Sequence, residues 1–203
     1  MKLNAFQLRQ LEEERARGVV RKIKRNPIYF ILEDIYDTYN IGGLFRLADA
    51  LAVEEMYLVG ETETPPNSRI KKASIGTYKV VPWEYCKDTK EAIESITYNV
   101  ERVTYKNNYK NKQDNEKTFH VPRSTLQVVA VEQHKNSISY NKANYQFPLA
   151  LIFGNESFGI KEETLKLAHQ IVEIPMYGIN KSLNVIVAAS IVSYYAINFL
   201  TKK

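Results

Sequence analysis

The sequence predicts an α/β domain: a mostly parallel sheet with helices on both faces. Six short apolar runs have the length of strands, and four longer stretches have the character of helices. The two kinds alternate along the chain, as in a parallel sheet whose strands are joined by helical crossovers. With 203 residues and 44% hydrophobic content, the chain can bury one core of this size with a short appendage, but not two full domains. In such sheets, ligands bind outside the carboxyl ends of the strands.

The elements follow in order. Residues 1–25 place Leu3, Phe6, Leu11, Val19, Val20 and Ile23 among charges, which reads as a helical arm weakened at Gly18. Asn26-Pro27 ends it, because a residue before proline avoids the helical region. The domain proper, residues 26–203, opens with a strand at Ile28–Leu32. A helix at Ile41–Leu51, capped by Asn40, leads to strands at Glu55–Val59 and Lys79–Val81. A helix at Thr89–Tyr98 precedes the segment YKNNYKNKQDNEKTFHVPR, which reads as a long polar loop at about 105–123. Strands at Leu126–Val131 and Pro148–Phe153, a helix at Lys161–Leu167, a strand at Gln170–Ile174 and a helix at Ser182–Leu200 complete the chain.

Charge and composition narrow the function classes. The net charge of +5 is concentrated in residues 1–25, where eight basic side chains outnumber three acidic ones, and the remainder balances. A basic arm on a neutral body suits an enzyme of a polyanion, since each neutralised phosphate releases counterions; the alternative is a solvated helix. Cys86 is the single cysteine, so no internal disulfide framework exists, and His120, His134 and His169 are too widely spaced for common zinc sites. No metal is expected. The first residues show no apolar signal region, and a reducing, cytoplasmic compartment fits. The apolar run Leu183–Leu200 contains Asn184, Ser190, Ser193 and Asn198, and reads as a buried or interface helix rather than a membrane span. No glycine fingerprint for dinucleotides, P-loop, nucleophile elbow or zinc-protease motif is present.

Three segments place glycine or small polar residues at strand-to-helix junctions. The first, Tyr39 to Ala50, begins with Asn40 and two glycines that admit close approach of another backbone or a ligand, followed by Arg46. On spacing alone, Arg46 reads as an ion pair with Asp49 or Glu54. The second, Ile152 to Ile160, is an apolar strand entering Gly154-Asn155-Glu156, with Gly159 five residues after Gly154. In the third, Ile174 to Val185, a strand ends at Pro175 and Ser182 caps a long apolar helix.

In this order, the N-x-G-x-x-x-R pattern within Asn26–Gly60, the stretch VVAVEQHKN, and FGNE, IPM and SLN resemble the motifs of the SpoU/TrmH family of RNA ribose 2′-O-methyltransferases in the SPOUT superfamily. The resemblance spans most of the chain. It implies a C-terminal deep trefoil knot, an exception to the rule against knotted connections. It further implies a pocket for S-adenosyl-L-methionine in the knotted loops, and a homodimer with sites near the subunit interface. The apolar last helix would pack into knot and dimer. Carried over by position, Asn40, Arg46 and Glu156 are the catalytic candidates, with the arginine as the family's catalytic residue. Val131, Gly154, Ile174 and Ser182 fall on cofactor-holding positions, with Met176 and Leu183 beside them; Asn155 occupies a variable position.

The implied chemistry is in-line attack of a ribose 2′-oxygen on a sulfonium methyl, where alignment is the main contribution. Arginine, with a pKa above ~12, is a poor base. Arg46 is better read as a clamp on the neighbouring phosphate, with Glu156 or water accepting the proton. A short arm in place of a separate RNA-binding domain favours tRNA over rRNA. The competing readings are an rRNA enzyme, a catalytically silent knotted RNA-binding protein, and a nucleotide-dependent oxidoreductase, the last opposed by the missing glycine fingerprint.

Overall fold

A computed structural model describes residues 23–110 and 126–200; the basic arm up to residue 22 and residues 111–123 of the expected polar loop lie outside them. The elements are β1 (Asn26–Glu33), α1 (Thr38–Ala50), β2 (Val53–Val59), α2 (Ser68–Ser74), a 3-10 turn (Thr77–Lys79), β3 (Trp83–Cys86), α3 (Thr89–Lys110), β4 (Gln127–Val131), β5 (Ile138–Ser139), β6 (Leu149–Phe153), α4 (Glu162–Leu165), β7 (Gln170–Glu173) and α5 (Val185–Ile197). The seven strands lie in the order β3-β2-β1-β6-β4-β7-β5, with every neighbouring pair parallel.

Both faces of the sheet are covered, and the period-two alternation of the strands sorts their side chains between two cores. Ile28, Phe30 and Leu32 of β1 join Leu149, Leu151 and Phe153 of β6 beneath α1 and α5. Tyr29 and Ile31 of β1, with Ala150 and Ile152 of β6, face Ala92 and Ile96 of α3 and Leu165 of α4. The rings of Phe30 and Phe153 meet edge to face, with centroids 5.3 Å apart, where the two central strands cross the first core.

Four local expectations are corrected, and elements that the sequence left unmarked are added. Lys79–Val81 is not a strand: Ile75 and Gly76 take positive φ values of 53° and 88°, which turn the chain into the 3-10 turn. The true strand β3 carries the exposed Glu84 and Tyr85, so a search for apolar runs passes over it. α1 is capped by Asp37, whose Oδ1 accepts from the Tyr39 amide at 2.8 Å, and Asn40 already lies inside the helix. α5 is capped by Asn184, whose Oδ1 accepts from the Ile186 amide at 2.9 Å, and Ser182 precedes the helix. α3 continues to Lys110, through the first residues of the expected loop, because YKNNYK contains no glycine or proline to stop it. The helix α2 was not foreseen, since Ile70 is its single buried aliphatic residue and leaves no periodic signal.

α5 buries Val185, Ala189, Val192, Ser193 and Ala196 against the sheet. Among the described residues, no helix is long and apolar enough to cross a membrane.

The paired glycines of α1 serve helix packing. A Cβ on Gly42 would lie 2.4 Å from the Cβ of Ala73 and 2.9 Å from the Ser74 amide nitrogen, whereas one on Gly43 would meet the terminal Cδ1 of Ile186. Gly42→Ala is expected to destabilise by about 1–2 kcal/mol, because overpacking against α2 outweighs the gain in helix propensity. Gly43→Ala should lie within about 0.5 kcal/mol of neutral, because the Ile186 methyl can swing aside. Urea unfolding of both variants checks the difference.

Candidate active-site cleft

The order β6-β4-β7 brings three carboxyl ends together, and a cleft of about 340 Å³ opens there, at the end of the sheet the sequence indicates. Its floor is Val131, Phe153 and Ile174; one wall is the turn 154–160 and the other the loop 174–184. Val131, Gly154, Ile174, Met176, Ser182 and Leu183, the six cofactor candidates of the sequence, all line it.

The first wall is a tight turn closed by reciprocal backbone bonds between Asn155 and Gly159, at 3.1 and 2.9 Å. Asn155 is its internal brace. Its Oδ1 accepts from the amides of Ser157 at 2.8 Å and Phe158 at 3.0 Å, and its Nδ2 donates to the Asp34 carbonyl at 2.7 Å. Gly154 passes so close to Gly159 that a Cβ would stand 2.6 Å from its carbonyl oxygen. The weight on this motif therefore belongs partly to Asn155, a buried residue that the resemblance had placed at a variable position.

The turn is anchored to the end of β1. Glu33, 3% exposed, accepts from the hydroxyls of Thr89 at 2.5 Å and Thr164 at 2.6 Å and from the Lys161 amide at 3.0 Å. Asp34 accepts from the Glu61 amide at 2.8 Å and pairs with the Lys161 ammonium at 2.7 Å. Burial pushes the Asp34 carboxyl up, but the Glu61 amide and Lys161 more than offset it and hold it below its ordinary value. The sequence signal for this hub, two acidic residues ending an apolar strand, passed unnoticed because it matches no motif.

Asn40, Glu156 and Asn184 meet at the rim. Asn184 Nδ2 donates to Asn40 Oδ1 at 2.9 Å, and Asn40 Nδ2 donates to Glu156 Oε1 at 2.7 Å. Asn40 is 6% exposed, so its amide orients the carboxylate from a fixed position. Arg46 is not brought into this cluster. It lies about 120° round α1 from Asn40 and one turn after Gly42, on the outer ridge between α2 and α5. It is exposed, and no ion pair joins it to Asp49 or Glu54 among the described residues; Asp49 instead feels Arg25. Sequence reasoning also missed the charged lining, Glu132, Glu173 and Lys181, which single-motif matching does not single out. Among the described residues, no group of three or more His, Cys, Asp or Glu is placed to hold a metal ion.

A model of the SpoU rRNA Methylase family matches residues 27–122 and 106–194. A tRNA (guanosine(18)-2′-O)-methyltransferase of Thermus thermophilus is 26% identical over 191 residues, 93% of this chain and 84% of that protein. An AdoMet-bound rRNA methyltransferase from Sinorhizobium meliloti superposes with a TM-score of 0.67 at 24% identity, over 88% of this chain; the chain spans only 59% of that one. A TrmH/SpoU tRNA modifying enzyme of A. aeolicus gives a TM-score of 0.66 at 24% identity over 96% of this chain and 82% of that one. The two structural likenesses establish the fold.

The Asp34 anchor has a pH signature. Its lowered pKa means that the stability it contributes is present above the ordinary carboxylate value of 3.8 and is lost as pH falls through the folded value. Asp34→Asn should therefore lower thermal stability at pH 7 and flatten its decline below about pH 4. Thermal melts of both proteins between pH 2.5 and 7 test this; parallel curves would refute it.

Proposed function

Because the chain belongs to the SpoU rRNA Methylase family, we propose that it transfers the methyl group of S-adenosyl-L-methionine to a ribose 2′-hydroxyl of RNA, with tRNA as the favoured substrate. The observation that carries this reading is the convergence of the six cofactor candidates on one cleft whose rim is the Asn184–Asn40–Glu156 relay. The Thermus relative, named for a tRNA, supports tRNA over rRNA. Family membership also supports the deep trefoil knot, with β6 and β7 flanking β4 in the sheet.

The lining suits the cofactor. Val131, Ile174, Met176 and Leu183 offer apolar surface to a purine, and the carboxylates of Glu132, Glu156 and Glu173 favour a ligand that carries sulfonium and ammonium cations. When bound, S-adenosylmethionine supplies a methyl group already activated by its positive sulfur. The protein's task is then to align the ribose and take up one proton. Glu156 is the proton acceptor in this scheme, with one carboxylate oxygen held by Asn40 and the other available to the hydroxyl. Arg46 acts on the RNA from the outer ridge of α1, clamping phosphate with its guanidinium.

The same reading includes a homodimer. α5 presents Val187, Ile191 and Tyr194 at helical spacing on its outward side, with Val187 46% and Tyr194 51% exposed. The loop 174–184 adds Tyr177 and Ile179, both fully exposed. A second copy of the chain would cover this surface next to Arg46.

Radiolabelled S-adenosylmethionine incubated with separate tRNA and rRNA pools, followed by digestion to nucleosides, should yield a 2′-O-methylated nucleoside from tRNA. Label in rRNA alone would reassign the substrate, and cofactor binding without label would mark a silent RNA-binding relative. Arg46→Ala should lower turnover at least 100-fold while leaving cofactor affinity within about twofold, as for a group that acts in the transition state. Val187→Glu should shift sedimentation from dimer to monomer by placing a charge in an apolar interface.

A further inference from the structure

We propose that Glu132 and Gln133, consecutive residues at the end of β4, are positioning residues that set the width of the cleft by holding one wall each. The inference rests on the cofactor reading above and assigns what shapes that site. Glu132 holds the wall 154–160. The Ile160 amide donates to its Oε2 at 2.9 Å, and the Gln133 amide donates to its Oε1 at 2.9 Å, so both carboxylate oxygens are engaged. Gly159 makes room for this contact: its φ is +71°, and a Cβ there would collide with Glu132 Oε2. Gln133 holds the other wall, its Nε2 donating to the Lys181 carbonyl at 2.5 Å.

The pair has a fixed base from which to act. The Glu132 amide donates to the Val172 carbonyl at 2.9 Å, which ties the end of β4 to β7. Across the cleft, the Asn184–Asn40–Glu156 relay joins the same two walls a second time. The walls are thus tied at both ends. The rim tie contains the residues proposed for chemistry, whereas the β4 tie lines the cleft at its floor, with the Glu132 carboxylate spent on two backbone amides and Gln133 on the Lys181 carbonyl. Because Gln133 is exposed and its contact is made at the side-chain tip, removing it loosens one wall without opening the core.

Isothermal titration of the full-length protein with S-adenosylhomocysteine and with S-adenosylmethionine, paired with thermal melts, tests the assignment. Gln133→Ala should raise both Kd values about threefold to tenfold, the equivalent of one hydrogen bond, with Tm within about 2 °C of the parent. Glu132→Ala should raise Kd further, because two amides lose their acceptor. Glu132→Gln should recover part of the loss, since its remaining carbonyl oxygen can still accept from one of them. Kd values within twofold of the parent in both alanine variants would overturn the proposal. So would weakening that merely follows the fall in Tm, with glutamine no better than alanine at position 132. A parent protein that binds neither compound would instead overturn the cofactor reading, and the clamp with it.

Discussion

The carboxylate of Glu33 lies almost entirely out of water, and burying a charge is costly unless donors replace the solvent. Here the donors come from three places that are remote in sequence: Thr89 at the start of α3, Thr164 in α4, and the amide of Lys161 after the cleft's first wall. One buried group thus gathers two crossovers and the cleft's first wall at the end of β1. Its neighbour Asp34 extends the constraint, taking the Lys161 ammonium on its side chain and Asn155 on its carbonyl. The turn 154–160 is consequently not a loop laid over the sheet but part of the core's polar closure.

From that anchor the geometry of the site follows. β6 lies beside both β1 and β4, so the turn that leaves it is fixed on one flank by β1 through Asp34 and on the other by β4 through Glu132. α1 starts at the same end of the sheet, as the crossover between the parallel strands β1 and β2. Its inward side delivers Asn40 to Glu156, while its glycines let α2 and Ile186 of α5 come into contact with its outer turns. The outer ridge carries Arg46 away from the cleft. One helix therefore serves two surfaces, with an orienting amide toward the cofactor side and a cation toward the side proposed to meet RNA and a second subunit.

Much of this was legible in the chain. Strand runs such as Ile28–Leu32 and Pro148–Phe153 announce themselves because both faces of a central parallel strand are buried, so nearly every residue must be apolar. The end of the sheet that carries the cleft was legible as well, since a doubly covered sheet leaves its strand ends open, while the six candidates that line it came from the motif resemblance. What escaped detection has a common cause. β3 is an edge strand with exposed Glu84 and Tyr85, α2 buries a single aliphatic side chain, and the caps Asp37 and Asn184 each stand beside another plausible cap. In each case the local sequence is compatible with more than one conformation, and contacts distant in the chain decide.

The sequence by itself determined the class of fold and the end of the sheet at which a cleft opens, because periodicity and turn chemistry are local properties of the chain; the six residues named for the cofactor came from the motif resemblance. The tertiary structure alone decided that Asn40 and Asn184, 144 residues apart, share a hydrogen bond. It also placed Arg46 about 120° round its helix from Asn40, which meets Glu156, and it brought Asn155, Glu132 and Gln133 into hydrogen bonds with the cleft walls. Those outcomes depend on which strands become neighbours, and strand order is set by burial and polar satisfaction summed over the whole domain rather than by any one segment.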